Sequence, residues 1–302
     1  MEIYSKLKTF RQKFGTIFLE GRIMLSKKEY LIKFLENNNT FICPLCKENL
    51  KTNNSSLVCC NIHTFDYTKK GSINLIKANN YKASNIYTKE LFINRRNFIN
   101  NNFYKDVYLK IAEILNSFAG NKQVSILDVG CGEGAHSMKI LELLKFTYLY
   151  YGFDYSLDGV NLATDYNGNN KVFFQASVDN IPLKDNSIDI IIDFLSPHNY
   201  QEYKRVLKKN GIIIKVSPGS SYLLELRKAM NIGIYEKETQ VYNNILNKFS
   251  AVCNYKVKKS FELDQEQTLQ LVHMTPMQKL RKDIIIKNIT IDLNIYVLKV
   301  KK

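Results

Sequence analysis

From Gln123 onward, short runs of β-branched and aromatic residues alternate with stretches whose apolar positions recur at helical spacing. The runs Val124 to Val129, Tyr148 to Phe153, Lys171 to Gln175, Ile188 to Phe194 and Gly211 to Val216 read as buried strands, while 135 to 144, 156 to 166 and 199 to 208 read as amphipathic helices. Strands that alternate with helices predict an α/β fold, a mainly parallel sheet with helices on both faces. Val252 to Phe261 and Ile289 to Val300 alternate polar with apolar residues and are expected to finish that sheet with an antiparallel edge.

Upstream the texture differs. Helical spacing appears at Tyr30, Leu31, Phe34 and Leu35 within Lys28 to Leu35, and again at Val107, Tyr108, Ile111, Ile114 and Leu115 within Phe103 to Phe118. Asparagine clusters at 37 to 39, 100 to 102 and 167 to 170 punctuate the chain as loops. The expected division is a basic N-terminal extension over 1 to 40, a compact Cys/His module over 41 to 76, a helical linker over 77 to 123 and an α/β domain over 124 to 302.

Composition narrows the function. With 45% hydrophobic residues in 302, a folded core is expected and disorder is excluded as the main state. A net charge of +15 creates a field that attracts polyanions, although an AT-rich genome accounts for part of the lysine excess. No apolar run approaches the roughly 20 residues that span a bilayer, so no membrane partner is expected and the cytoplasm is the expected location.

Four of the six cysteines, Cys43, Cys46, Cys59 and Cys60, crowd beside His63. Cys43-Pro44-Leu45-Cys46 with Cys59 and His63 gives C-x2-C-x12-C-x3-H, the four N/S ligands that a structural Zn²⁺ takes, with Cys60 as a rival to Cys59. The segment is too short to hold a core of its own, so metal would fold it.

Asp128-Val129-Gly130-Cys131-Gly132-Glu133-Gly134 ends a strand and opens a helix, where glycines let a backbone approach a ligand. Gly130, Gly132 and Ala135 also satisfy a dinucleotide pattern, which would favour an NAD-dependent enzyme. Asp128 tips the balance, because a carboxylate there repels a pyrophosphate and suits the cationic amino-acid end of S-adenosylmethionine. Asp154, at the end of the next strand, is placed to accept ribose hydroxyls. Gln175 to Leu183 and Ser187 to Asp189 resemble the third and fourth motifs of class I methyltransferases, whose loop after the third strand brackets adenine, and Ser177 stands in that loop. The fourth strand delivers Asp193, Ser196 and Asn199 to the same crevice, with a helix N-cap as the plain alternative for Asn199.

Together these residues resemble one family, the bacterial 23S ribosomal RNA guanine-N1 methyltransferases that act on hairpin 35. The resemblance covers roughly residues 24 to 302. It rests on the cysteine knuckle, Phe65-Asp66, Gly71-Ser72-Ile73-Asn74-Leu75, Asn94-Arg95-Arg96, the glycine loop, Phe194-Leu195-Ser196-Pro197-His198-Asn199, Lys215-Val216-Ser217-Pro218 and Met274-Thr275-Pro276. The Ser196-Pro197-x-Asn199 form is closer to the Gram-positive branch. The resemblance implies a class I (Rossmann-like) methyltransferase sheet with an N-terminal zinc-ribbon module and 23S rRNA as the partner. It also implies a ribose contact at Asp154, zinc ligands Cys43, Cys46, Cys59 and His63, and a homodimer in some members.

Guanine N1 carries a proton at neutral pH, and Asp193 is the expected base because it ends the fourth strand. Asp193, Ser196 and Asn199 are thus the expected catalytic residues, and Asp128, Gly130, Gly132, Gly134, Asp154 and Ser177 the cofactor-binding ones. Arg95 and Arg96 are expected on RNA phosphates, with intramolecular pairing as the alternative. A small-molecule methyltransferase leaves the zinc module and basic charge unexplained, and a non-catalytic zinc adaptor leaves the motif-bearing strands unexplained.

The resemblance begins at Met24, and Glu20-Gly21-Arg22-Ile23 is encodable by a purine run of ribosome-binding type. Met24 is therefore expected as a start, with residues 1 to 23 dispensable; the competing reading is a basic RNA-binding arm over Lys6 to Lys13. Peptide mapping of native protein should find no peptide from residues 1 to 23, and recovering one would contradict Met24 as the sole start.

Overall fold

The computed structural model describes residues 17–19, 22–76, 86–233, 235–276 and 286–301. The basic stretch Lys6 to Lys13 lies outside them, and next to it β1 (Ile17–Leu19) pairs antiparallel with β2 (Arg22–Met24). Helix α1 (Lys27–Asn37) starts at a capping box, in which Ser26 accepts from the Glu29 amide and Glu29 answers the Ser26 amide. A three-stranded ribbon follows, β3 (Lys51–Asn53), β4 (Ser56–Val58) and β5 (Thr64–Asp66), then β6 (Ile73–Asn74) and helices α2 (Lys89–Asn100) and α3 (Lys105–Ala119).

The remaining elements alternate as the pattern predicts: β7 (Val124–Val129), α4 (Ala135–Leu141), β8 (Tyr148–Asp154), α5 (Leu157–Ala163), β9 (Lys171–Gln175), β10 (Ile188–Phe194), α6 (Tyr200–Val206) and β11 (Leu207–Pro218). After them come α7 (Leu224–Ala229), α8 (Glu238–Lys248), β12 (Phe249–Glu262), α9 (Gln265–His273) and β13 (Asn288–Val300). Eight strands form one sheet in the order β12-β13-β11-β10-β7-β8-β9-β6, parallel from β11 through β6, with β13 antiparallel to both its neighbours. The antiparallel edge is the one the sequence leads one to expect.

Both faces of the sheet are covered, which is why Ile190, Ile191 and Ile192 are all fully buried although successive side chains point opposite ways. Ile126, Ile190, Ile192 and Ile214 pack with Val107, Ile111 and Leu115 of α3. Leu127, Ile191 and Ile213 share the other core with Leu31 and Phe34 of α1, Tyr203 and Val206 of α6, and Phe41, Leu57 and Phe65 of the Cys/His segment.

Two boundaries therefore differ from the sequence reading. Residues 86–119 are not a linker: α2 and α3 bury Phe98, Ile99, Val107 and Ile111 in the sheet's own core. The Cys/His segment also does not end as a separate module, because Ile73 and Asn74 pair with Phe174 and Gln175 as the last strand of the main sheet. A two-residue strand carries no periodicity to read.

At the carboxyl ends of β10 and β11, Asp193 and Lys215 lie side by side in register. Lys215 Nζ donates to both carboxylate oxygens at 2.8 Å and to the Ser196 carbonyl at 3.0 Å, and the Tyr203 hydroxyl donates to Asp193 Oδ2 at 3.0 Å. Asp193 is fully buried. Removing one partner strands a buried charge, so Lys215→Met should lower stability by about 3–5 kcal/mol in urea unfolding. A loss below about 1 kcal/mol would contradict this account of the pair.

Candidate cofactor cavity and metal centre

The ribbon's ligand atoms are held by its backbone. Cys43 closes a knuckle in which its amide donates to the Glu48 carbonyl at 2.7 Å and its carbonyl accepts from Lys47 at 2.9 Å; opposite, Cys59 donates to the His63 carbonyl at 3.2 Å. This brings Cys43, Cys46, Cys59 and His63 together with all four ligand atoms within 4.8 Å of one another. Cys46 Sγ lies 3.6 Å from Cys59 Sγ, and His63 Nδ1 lies 3.5 Å from Cys43 Sγ and 3.4 Å from Cys59 Sγ. Those separations match the edges, roughly 3.5–3.8 Å, of a tetrahedron with zinc–sulfur and zinc–nitrogen bonds of ordinary length. The set fits zinc, and exposed Cys60 stays outside it, which resolves the choice left open by spacing.

The second site is a cavity of about 680 Å³ at the carboxyl ends of β7, β8, β9 and β10, where ligands bind in open α/β sheets. Its floor is the glycine loop. Gly130 turns at φ +69°, and a Cβ there would stand 2.6 Å from Ser196 Cβ, so only glycine lets the loop lie against the end of β10. Asp154 accepts from the Gly132 amide at 2.9 Å through Oδ2 and from the Ser156 amide at 2.7 Å through Oδ1, which fixes a part-exposed carboxylate in the wall. Burial raises its pKa and the amides pull it down. A glycine floor beside a fixed carboxylate suits the ribose and amino-acid parts of S-adenosylmethionine.

Of the residues singled out from sequence, Gly130, Gly132, Asp154, Ser177 and Ser196 line the cavity, and Asp128, Gly134, Asp193 and Asn199 do not. Asp128 is 2% exposed, and its Oδ2 accepts from the Tyr150 hydroxyl at 2.7 Å and from Ser137. It supports the loop from beneath and does not line the cavity. Asp193 is unsuited to act as a base, since Lys215, Tyr203 and the Ser196 hydroxyl at 2.8 Å occupy its oxygens. Asn199 caps α6 by accepting from Gln201 and Glu202, and its amide donates to Asp179 at 3.0 Å. His198 stacks on Tyr200 outside the cavity.

The two arginines separate. Arg96 bonds Asp165 at 2.8 Å and the carbonyls of Glu133 and Leu162, so it is structural, as the alternative reading had it. Arg95 lines the cavity. Sequence reasoning missed an aromatic group in the same space: Tyr104 and Tyr222, whose hydroxyls meet at 2.9 Å, and His136, bonded to Tyr108 at 2.7 Å and stacked on Phe194. They come from four separate elements or loops, and no short motif signals such a meeting.

Burial raises Glu133 to about 7 and Asp128 to about 6, and lowers His136 to about 3. For His136 the lowered folded pKa means that stability present above pH 6.5 is lost as pH falls towards 3. Glu133 acts oppositely: its contribution is complete below pH 4.5 and is lost as pH rises through 7. Glu133→Gln should therefore gain on the order of 2–3 kcal/mol over the parent at pH 8 and almost nothing at pH 4; an equal difference at both pH values would refute it. Metal analysis of native protein should find one zinc per chain, lost in Cys59→Ser, and zinc-free native protein would contradict the metal centre.

Comparison with known proteins agrees with both sites. Residues 41–84 match the family described as RlmA, N-terminal, and residues 120–287 match a family described as a methyltransferase domain. A Bacillus subtilis (strain 168) protein, YxjB, named as a candidate 23S rRNA (guanine-N(1)-)-methyltransferase, is 31% identical over 280 residues, covering 85% of this chain and 96% of that protein. The 23S rRNA (guanine(748)-N(1))-methyltransferase of Streptomyces fradiae is 24% identical over 237 residues, covering 78% and 84%. The chain is a methyltransferase that uses S-adenosylmethionine and carries a zinc ribbon, and it belongs to the 23S rRNA (guanine-N1)-methyltransferase family.

Proposed function

We propose that the protein transfers the methyl group of S-adenosylmethionine to N1 of a guanine in hairpin 35 of 23S rRNA, in the cytoplasm. The observation that carries this reading is the seat of the ribbon. Asn180 donates to the Pro44 carbonyl at 2.9 Å and is bonded by Lys47, and the Ile42 amide donates to the Pro182 carbonyl at 3.1 Å. The loop that receives the ribbon continues from Ser177, Val178 and Asp179, which line the cavity. RNA gripped by the ribbon is thereby held at the cavity mouth, and the relatives are named for guanine N1 of 23S rRNA.

N1 lies on the Watson–Crick edge, so the guanine must leave its stack to be methylated. Phe194, Pro197, Tyr104 and Tyr222 offer apolar and aromatic walls to an extruded purine. Burial raises the phenols of Tyr104 and Tyr222, so both stay neutral and able to donate or accept at the base edge. Bound S-adenosylmethionine supplies an electrophilic methyl. Asp154 holds the ribose, and the glycine loop admits the methionine part. Exposed Asp158, Asp179 and Pro197 at the rim leave the cavity open to water, which accepts the N1 proton since Asp193 is sealed.

Purified protein incubated with S-adenosylmethionine and a hairpin 35 fragment should create a reverse-transcription stop at one guanine, because N1 methylation blocks pairing. Tyr222→Phe should slow the reaction about tenfold. Methylation appearing only at other atoms or in other RNAs would contradict the assignment.

A further inference from the structure

We infer that Arg95 holds the α-carboxylate of S-adenosylmethionine and ties cofactor binding to the Met274–Pro276 wall of the cavity. The inference rests on the cofactor and is independent of which RNA is the target.

Arg95 sits in α2, on a part-buried face, and its guanidinium reaches the cavity over the Phe92 ring at 5.4 Å. A Cβ built on Gly132 would lie 3.7 Å from Arg95 Nη1, so the guanidinium rests against the glycine loop itself. Its charge acts on Tyr104, Glu133, His136, Asp154 and Tyr222, all of which line the same space. Among the described residues it forms no ion pair, and its described hydrogen bond goes from Nη2 to the Met274 carbonyl at 3.2 Å. Arg96, one position on, by contrast spends its terminal nitrogens on a carboxylate and two carbonyls. An arginine with donors to spare, half-withdrawn from solvent beside a glycine loop, is built for a planar anion at that loop.

Two anions come near this place, the cofactor's carboxylate and an RNA phosphate. The position favours the first. The glycine loop would receive the methionine part of the cofactor, and Asp154, held in place by the Gly132 amide, would take the ribose. A carboxylate on the methionine part would then come within reach of a guanidinium that rests against the same loop. The link from Arg95 to Met274 then has a consequence for the acceptor side. Met274, Thr275 and Pro276 line the cavity, so the residue that binds the cofactor also fixes a wall of the space left for the base.

Calorimetry with S-adenosylmethionine and with decarboxylated S-adenosylmethionine, which lacks only the carboxylate, separates the outcomes. The parent should prefer the carboxylated ligand by roughly 10- to 100-fold, and Arg95→Gln should abolish the preference while leaving the decarboxylated ligand's affinity unchanged. Arg95→Lys should retain part of the preference. The preference is a ratio measured in one protein, so partial unfolding of a variant does not mimic it. Undiminished preference in Arg95→Gln overturns the inference, as does equal weakening of both ligands. Weaker RNA binding with a salt slope reduced by about one, and cofactor affinity intact, overturns it in favour of a phosphate contact.

Discussion

The buried pair of Asp193 and Lys215 is the constraint on which the cavity depends. A carboxylate with no exposure is tolerable only with a cation against it, and Lys215 meets both of its oxygens from the adjoining strand. The pair is also an anchor. Lys215 holds the Ser196 carbonyl, the Ser196 hydroxyl contacts Asp193 and the Val129 carbonyl at 2.6 Å, and between them Leu195 is held at φ +56°, a conformation unfavourable for leucine. The end of β10 is thus fixed onto the end of β7, and the glycine loop fits beneath it because Gly130 lacks a side chain.

The zinc ribbon depends on the same frame. Its apolar residues share a core with Leu127, Ile191 and Ile213, and its knuckle is bonded to the loop beside the cavity. Metal ligation therefore orders a segment that is continuous with the sheet, down to the strand pairing of Ile73 with Phe174. The position of the metal relative to the cofactor is set by packing, and a flexible joint between them is not needed to explain how RNA reaches the cavity.

The strands were legible because a doubly covered sheet demands unbroken β-branched runs, and β7, β9 and β10 begin and end where those runs do. The Cys/His cluster was legible because tetrahedral chemistry restricts spacing, whereas the choice of Cys59 over Cys60 is made by the fold. Charge partnership was not legible. Asp128 and Asp193 read as site acids because they end strands at the right edge, but their burial depends on Tyr150, Ser137, Lys215 and Tyr203, which converge only in the fold. Arg95 and Arg96 look equivalent in sequence. Adjacent positions on a helix point about 100° apart, and that difference sends one to Asp165 and the other to the cavity.

The central claim is that this cavity methylates guanine N1 in 23S rRNA. Its most direct test is nucleoside mass spectrometry of hairpin 35 fragments from cells with and without the gene. The account predicts N1-methylguanosine at one position that disappears with the gene and returns with the intact copy. Identical methylation in both strains would contradict it.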